Sequence, residues 1–200
     1  MLHTAFDFNN NLILENEVAM LRPLQNRDFV HLKHFANELP DIWQYSREKV
    51  WGEYNLQEYI SKAVKSREDK KEFPFIVFDN RKNEYAGSTR FYDIQFENKT
   101  LQLGYTWYGK EFQRTGLNKH CKFLMLQFAF EIFDMERVEF RADNNNLRSI
   151  EAMKKIGCKI EGVLRSNLPT QNNARRDSIV LSILKDEWLN NVKTDLKNQL

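Results

Sequence analysis

Glycine, proline and cysteine are all scarce in this chain of 200 residues, at 7, 4 and 2. So little glycine and proline excludes a collagen-like repeat and a linker-rich design. The two cysteines, Cys121 and Cys158, cannot build a disulfide framework and lack the paired spacing of a zinc site. Cys121 lies in an apolar run and reads as a small buried hydrophobe. No apolar run approaches the roughly 18 residues of a membrane span. The first residues, Met1-Leu2-His3-Thr4-Ala5, show no basic segment followed by an apolar core. No membrane partner and no leader are therefore expected, and the cytoplasm is the expected compartment. Excess charge is also lacking: 30 Lys and Arg against 28 Asp and Glu leave +2. Nucleic-acid binding needs concentrated positive charge, so no nucleic-acid partner is expected.

What the chain does have is aromatic side chains: 15 Phe, 7 Tyr and 4 Trp, within a hydrophobic fraction of 42%. Those can bury a sizeable core, which excludes a disordered chain. At roughly 150 residues per domain, the length suits one domain spanning 1–200. Its core is expected over about 10–185, with a helical tail at 186–200.

The apolar pattern changes period along the chain. Residues 11–24 read as a hairpin turning near Glu15-Asn16-Glu17. Asn26 is a plausible N-cap for a helix through Phe29, Leu32, Phe35 and Leu39 that stops at Pro40. An irregular aromatic stretch follows, with Trp43, Tyr45, Trp51 and Tyr54, at least half of them expected in the core. Leu56, Tyr59, Ile60, Ala63 and Val64 then mark a second helix. Residues 73–78, 85–94 and 99–108 form an antiparallel meander. In its last strand Leu101, Leu103, Tyr105 and Trp107 are expected on one face, with Gln102, Gly104 and Thr106 on the other. Leu117 to Met135 is apolar nearly all round, as a helix covered on several sides would be. Strand 137–143 follows, and a helix between two strands gives parallel neighbours. A further helix runs from Asn146 to Ile156, ended by Gly157. Strands 158–165 and 176–184 complete the pattern.

Chemistry concentrates between strand 99–108 and the covered helix, in Gly109-Lys110-Glu111-Phe112-Gln113-Arg114-Thr115-Gly116-Leu117-Asn118. A loop entering a helix N-terminus offers unpaired backbone N–H groups and the positive end of the helix dipole, a ready anion site. Gly116 lets an anion approach the backbone. Lys110, Arg114, Lys119 and Lys122 gather within thirteen residues around it. Taken alone, one glycine in a basic turn reads first as an ordinary loop end.

Three elements in register then resemble a known family. They are Gln113-Arg114-Thr115-Gly116-Leu117-Asn118, the Asn146-x-x-Ser149 step with its following Lys-x-Gly, and Glu161-Gly162-x-x-Arg165. Together they resemble the GNAT acyl-CoA N-acyltransferases, in the branch of the ribosomal-protein N-terminal acetyltransferases. The resemblance implies an α+β fold with a mixed, mostly antiparallel seven-stranded sheet flanked by helices and splayed between strands 99–108 and 137–143. It implies acetyl-CoA in that gap as cosubstrate, with its pyrophosphate on the amides of 114–118 and its pantetheine along Tyr105, Thr106 and Trp107. Asn146 and Ser149 would reach the pantetheine and sulfur, and Ser149 would serve the leaving thiolate. Asn118 stands where the family often has Gly or Ala, and its side chain is expected to add a hydrogen bond to the cofactor.

The implied reaction is direct attack of an amine on the thioester in a ternary complex. That needs a base, an oxyanion donor such as a backbone N–H of 105–107, and a donor to the thiolate. The family's relatives carry a glutamate soon after Glu-Gly-x-x-Arg. Here that stretch is Ser166-Asn167-Leu168-Pro169, so either the base sits elsewhere, with Asp93, Glu111 and Glu161 as candidates that read equally as solvated charges, or enough of the amine is already neutral to react. Asp177 reads as a structural ion-pair partner. The acceptor is a protein N-terminus or a small amine. His31, His34 and His120 form no ligand constellation, so no metal is expected. The exposed sheet ends permit a homodimer. The alternative on the same fold is a non-catalytic CoA sensor or partner-binding module.

Overall fold

A computed structural model describes residues 7–37, 43–46, 48, 50–170 and 174–200. Leu14–Glu15 (β1) and Ala19–Pro23 (β2) pair antiparallel. Asn16 makes their turn, its Oδ1 accepting the amides of Val18 and Ala19 at 3.0 and 2.9 Å. The next helix is broken: a 3₁₀ turn at Asn26–Asp28, one α turn at Phe29–Leu32 (α1), then 3₁₀ again at Lys33–Asn37. Asn26 is not its cap. Asp28 closes the start, accepting the amide of Gln25 at 2.9 Å while held by both terminal nitrogens of Arg22 at 2.8 Å. The expected stop at Pro40 lies outside the described residues.

Glu53–Glu68 (α2) buries Leu56, Tyr59, Ile60 and Ala63, as its spacing predicts. Glu72–Asp79 (β3), Glu84–Gln95 (β4) and Thr100–Tyr108 (β5) form the meander. Leu117–Gln127 (α3) runs into a π turn at Phe128–Ile132 and then Arg137–Asp143 (β6). Leu147–Lys155 (α4), Lys159–Pro169 (β7) and Arg175–Leu184 (β8) follow. The tail is Lys185–Glu187 (α5), a π turn at Trp188–Val192 and Lys193–Lys197 (α6).

All strands join one sheet in the order β1-β2-β3-β4-β5-β6-β8-β7. Eight strands stand where seven were expected, a minor difference; β1 is only two residues long. Every pairing is antiparallel except β5 with β6. That parallel pair holds register only from Thr100–Arg137 to Gln102–Glu139. Beyond it the strands part, leaving the expected splay.

β5 also departs from simple alternation. Ser88 opposes Trp107 and Arg90 opposes Gly104, so β5 carries an extra residue opposite Thr89, and Tyr105 adopts a φ of 50°. Such a bulge resets which side chains point where. Leu103 stays with Phe91, whose ring stacks on Phe128 behind α3. Tyr105 and Trp107 turn to the opposite face, against Tyr92, Phe35 and Trp43. The single apolar face expected for Leu101, Leu103, Tyr105 and Trp107 is therefore divided between both sides of the sheet.

The covered helix is covered by the tail. Trp188 is fully buried, with its ring 5.7 Å from Phe130 and 5.8 Å from Phe123. Burying each such side chain is worth about 1.5–3 kcal/mol. Gly157 ends α4 at φ 97°, and a Cβ there would lie 2.7 Å from Val192.

Candidate functional site

The splay opens into a cleft of about 1150 Å³. Tyr105, Thr106, Trp107, Gln113, Arg114, Thr115, Gly116, Asn118, Asn146 and Ser149 all line it. Leu117 does not: its side chain is fully buried, and its amide faces Thr115 Oγ1 at 3.4 Å.

One end of the cleft is the turn before α3. Gly116 caps the helix at φ 89°, and Arg114 is left-handed at φ 62°. The amides of Arg114, Thr115, Gly116 and Asn118 have no protein acceptor among the described residues. A Cβ on Gly116 would meet nothing within 4 Å, so a ligand can reach this backbone. Successive free N–H groups at a helix N-terminus are suited to a phosphate.

Residues distant in sequence hold that turn. Arg81 is paired with Asp79 at 2.8 Å and donates to the Thr115 carbonyl at 3.1 Å. Lys82 donates to the Glu111 carbonyl at 2.9 Å. Gln113 donates to the Tyr108 carbonyl at 3.0 Å and accepts from Arg148 of α4 at 3.0 Å, tying the two sides of the cleft. Tyr108 donates to Asn118 Oδ1 at 3.3 Å. The oxygen of Asn118 is thus committed to Tyr108, while the residue lines the cleft. Sequence reasoning missed Arg81 and Lys82, because Asp79-x-Arg81 reads as an ordinary turn.

At the other end, Asn146 caps α4 by accepting the Ser149 amide at 3.1 Å. Its oxygen is thereby committed to the helix. Ser149 Oγ has no partner among the described residues and lines the cleft.

The three carboxylates considered as bases separate clearly. Asp93 lines the cleft at a second bulge, at φ 47°, and accepts from Gln102 at 2.8 Å and Gln95 at 3.0 Å. Glu111 is exposed and outside the lining. Glu161 is bound by Arg137 and by Ser182 at 2.6 Å, and the Arg137 guanidinium holds it below the usual carboxylate range. Asp177 accepts the Ser166 amide at 2.8 Å and makes no ion pair among the described residues, contrary to expectation. Asp143 and Glu151 also line the cleft, and sequence reasoning did not single them out.

The aromatic stretch divides. Trp43 is buried against Trp107, ring centroids 4.8 Å apart, while Tyr45 lines the cleft and donates to the Asn145 carbonyl at 3.2 Å. Trp51 and Tyr54 are exposed, so fewer than the expected half sit in the core. His120 packs against the β1–β2 turn, its Nδ1 3.1 Å from Asn16 Nδ2. The described residues contain no group of three or more His, Cys, Asp or Glu placed for a metal, and no helix long and apolar enough to cross a membrane.

Comparison with known proteins agrees with this geometry. Residues 19–159 match the family described as acetyltransferase (GNAT) domain. The uncharacterized N-acetyltransferase YnaD of Bacillus subtilis (strain 168) is 23% identical over 84% of this chain and 95% of its own length. A GCN5-related N-acetyltransferase from Brucella melitensis shares the fold at TM-score 0.86 and 22% identity, over 96% of this chain and 86% of that one. The ribosomal-protein-S5-alanine acetyltransferase from Vibrio fischeri shares it at TM-score 0.70 and 20% identity, over 88% and 98%.

Proposed function

We propose that this chain, which belongs to the acetyltransferase (GNAT) family, is an acetyl-CoA-dependent N-acetyltransferase that acts on a protein N-terminus or a small amine. The observation that carries this reading is the fan of amides at Arg114, Thr115, Gly116 and Asn118, opening into the gap between β5 and β6. It offers donors to a pyrophosphate and leaves room beside Gly116 for one to approach. Acetyl-CoA, when bound, supplies an acetyl group activated as a thioester.

The chain's own groups have four tasks. The amides of Arg114, Thr115, Gly116 and Asn118 hold the phosphates, with Arg81, Lys82 and Gln113 keeping the turn in place. The bulged backbone at Tyr105–Trp107 supplies main-chain groups along the gap, including an N–H for developing negative charge. The Ser149 hydroxyl donates to the departing sulfur. Asp93 accepts the amine proton, directly or through water; it is the one of the three candidate carboxylates that lines the cleft. Trp43, Tyr45, Tyr59 and Tyr92 line the same cleft and offer aromatic faces to a cationic amine before it loses its proton.

Calorimetry with acetyl-CoA tests the first step, and wild-type protein that does not bind it overturns the reading. Free-thiol release with a panel of small amines and N-terminal peptides tests the second. Binding with no release on any acceptor would instead favour a CoA sensor, the reading to which the absent carboxylate after Arg165 points.

A further inference from the structure

The cleft contains a buried lysine that none of these tasks uses. Lys122 lies in the second turn of α3, is 5% exposed and lines the cleft. Its Nζ donates to Thr106 Oγ1 at 2.8 Å and Thr89 Oγ1 at 3.4 Å. Those hydroxyls, 2.7 Å from each other, accept hydrogen bonds but carry no charge. No carboxylate pairs with Lys122 among the described residues.

The titratable groups facing it are neutral as well. Cys121, on its own helix, is pushed up to about 12 by burial. Cys158, between α4 and β7, is also raised by burial, and so is the Tyr108 phenol of β5 beside Cys121. A buried ammonium with no anion near it is costly, and it lowers that cost by giving up its proton. Burial accordingly draws Lys122 down to about 7.

The missing negative charge has an evident source. Lys122 follows the amide fan on the same helix, five residues beyond Leu117, which is about 8 Å of axial rise. Lys122 is almost fully buried, so solvent screening at its end of that interval is weak. We propose that Lys122 is the buried counter-ion of the cofactor, taking up a proton as the phosphates of acetyl-CoA settle on the N-terminus of its helix. The proposal rests on the reading of the cleft as an acetyl-CoA site.

Calorimetric titration of the whole protein with acetyl-CoA at pH 8, in two buffers of different ionisation enthalpy, counts the protons exchanged. Wild type is expected to take up close to one proton per cofactor, about what a lysine moving from 7 to above 9 exchanges at that pH. Lys122→Met is expected to take up none and to bind about tenfold more weakly. Lys122→Arg keeps the charge at every pH and avoids the cost of taking up the proton, so it is expected to bind at least as tightly as wild type with no uptake; it serves also if the methionine variant does not fold. A purely structural lysine would alter the melting temperature of these variants and leave the proton count unchanged. Binding without uptake in wild type, or equal uptake in Lys122→Met, overturns the counter-ion while leaving the acetyl-CoA site standing. Absence of binding in wild type overturns the site itself. Mass spectrometry after incubation supplies a last check: acetylation of Lys122 would make it an acceptor and overturn its role as counter-ion.

Discussion

Gly116 combines a left-handed backbone at φ 89° with open space on the side where a Cβ would stand. The two features separate strain from occlusion. Gly116→Ala meets no atom, so it is expected to cost only the left-handed penalty, about 1 kcal/mol of stability, and to remain folded. Gly116→Glu carries the same strain and adds a carboxylate beside the four free amides. It is expected to match the alanine variant in thermal melts and to lose acetyl-CoA binding altogether. Equal binding by both variants would mean that no phosphate sits there. Ser149 is open to a similar separation, because its backbone and side chain have different tasks. Its amide secures the Asn146 cap, and substitution by alanine leaves that bond in place. Ser149→Ala is therefore expected to keep its melting temperature and its KM for acetyl-CoA while kcat falls about a hundredfold. Unchanged kcat would reduce Ser149 to an ordinary residue of the first helical turn.

Among the elements, the β3–β4 turn does most to hold the proposed phosphate loop, although nothing in its sequence advertises that. Arg81→Gln removes a charged donor from the Thr115 carbonyl. Loss of roughly 1 kcal/mol of positioning energy is expected to raise KM for acetyl-CoA about fivefold with little change in kcat. An effect on kcat alone would separate this turn from cofactor binding. Long-range support of this kind is hard to read in a sequence, because a turn residue and a loop carbonyl thirty-four positions apart share no local pattern. The loop itself was legible, since strand, glycine and covered helix follow one another directly. The strand periods were legible for the same reason, whereas the splay was expected only from the family resemblance. The bulge at Tyr105 was not: one extra residue leaves the apolar spacing of β5 intact and is revealed only by what Ser88 and Arg90 oppose. Where α3 meets the β1–β2 turn, His120 adds a dependence on pH. Burial lowers its pKa below the ordinary 6.5, so the unfolded chain binds that proton more readily than the folded one. The stability owed to neutral His120 is then present above about 6.5 and is lost as pH falls below it. Thermal melts at pH 7.5 and 5.5 are expected to show a smaller drop for His120→Asn than for wild type, and equal drops would exclude this linkage.

Across the whole molecule, the sheet is two antiparallel blocks, β1–β5 and β6–β8, joined in register only from Thr100–Arg137 to Gln102–Glu139. Arg148 and Gln113 add one hydrogen bond across the mouth of the gap. A ligand lying along the gap would contact both blocks and oppose their separation. Ligand binding stabilises a fold by mass action, about 2.7 kcal/mol at one hundred times Kd. In a chain of this length that is expected to raise the melting temperature by about 5–11 °C. Where the protection falls is more telling than its size. Amide hydrogen exchange with saturating acetyl-CoA is expected to slow on both walls, at 103–108 of β5 and 140–143 of β6, as well as at 113–118. Protection confined to 113–118 would mean that the phosphates bind while the pantetheine never enters the sheet. The splay would then be a feature of the fold without a part in the chemistry.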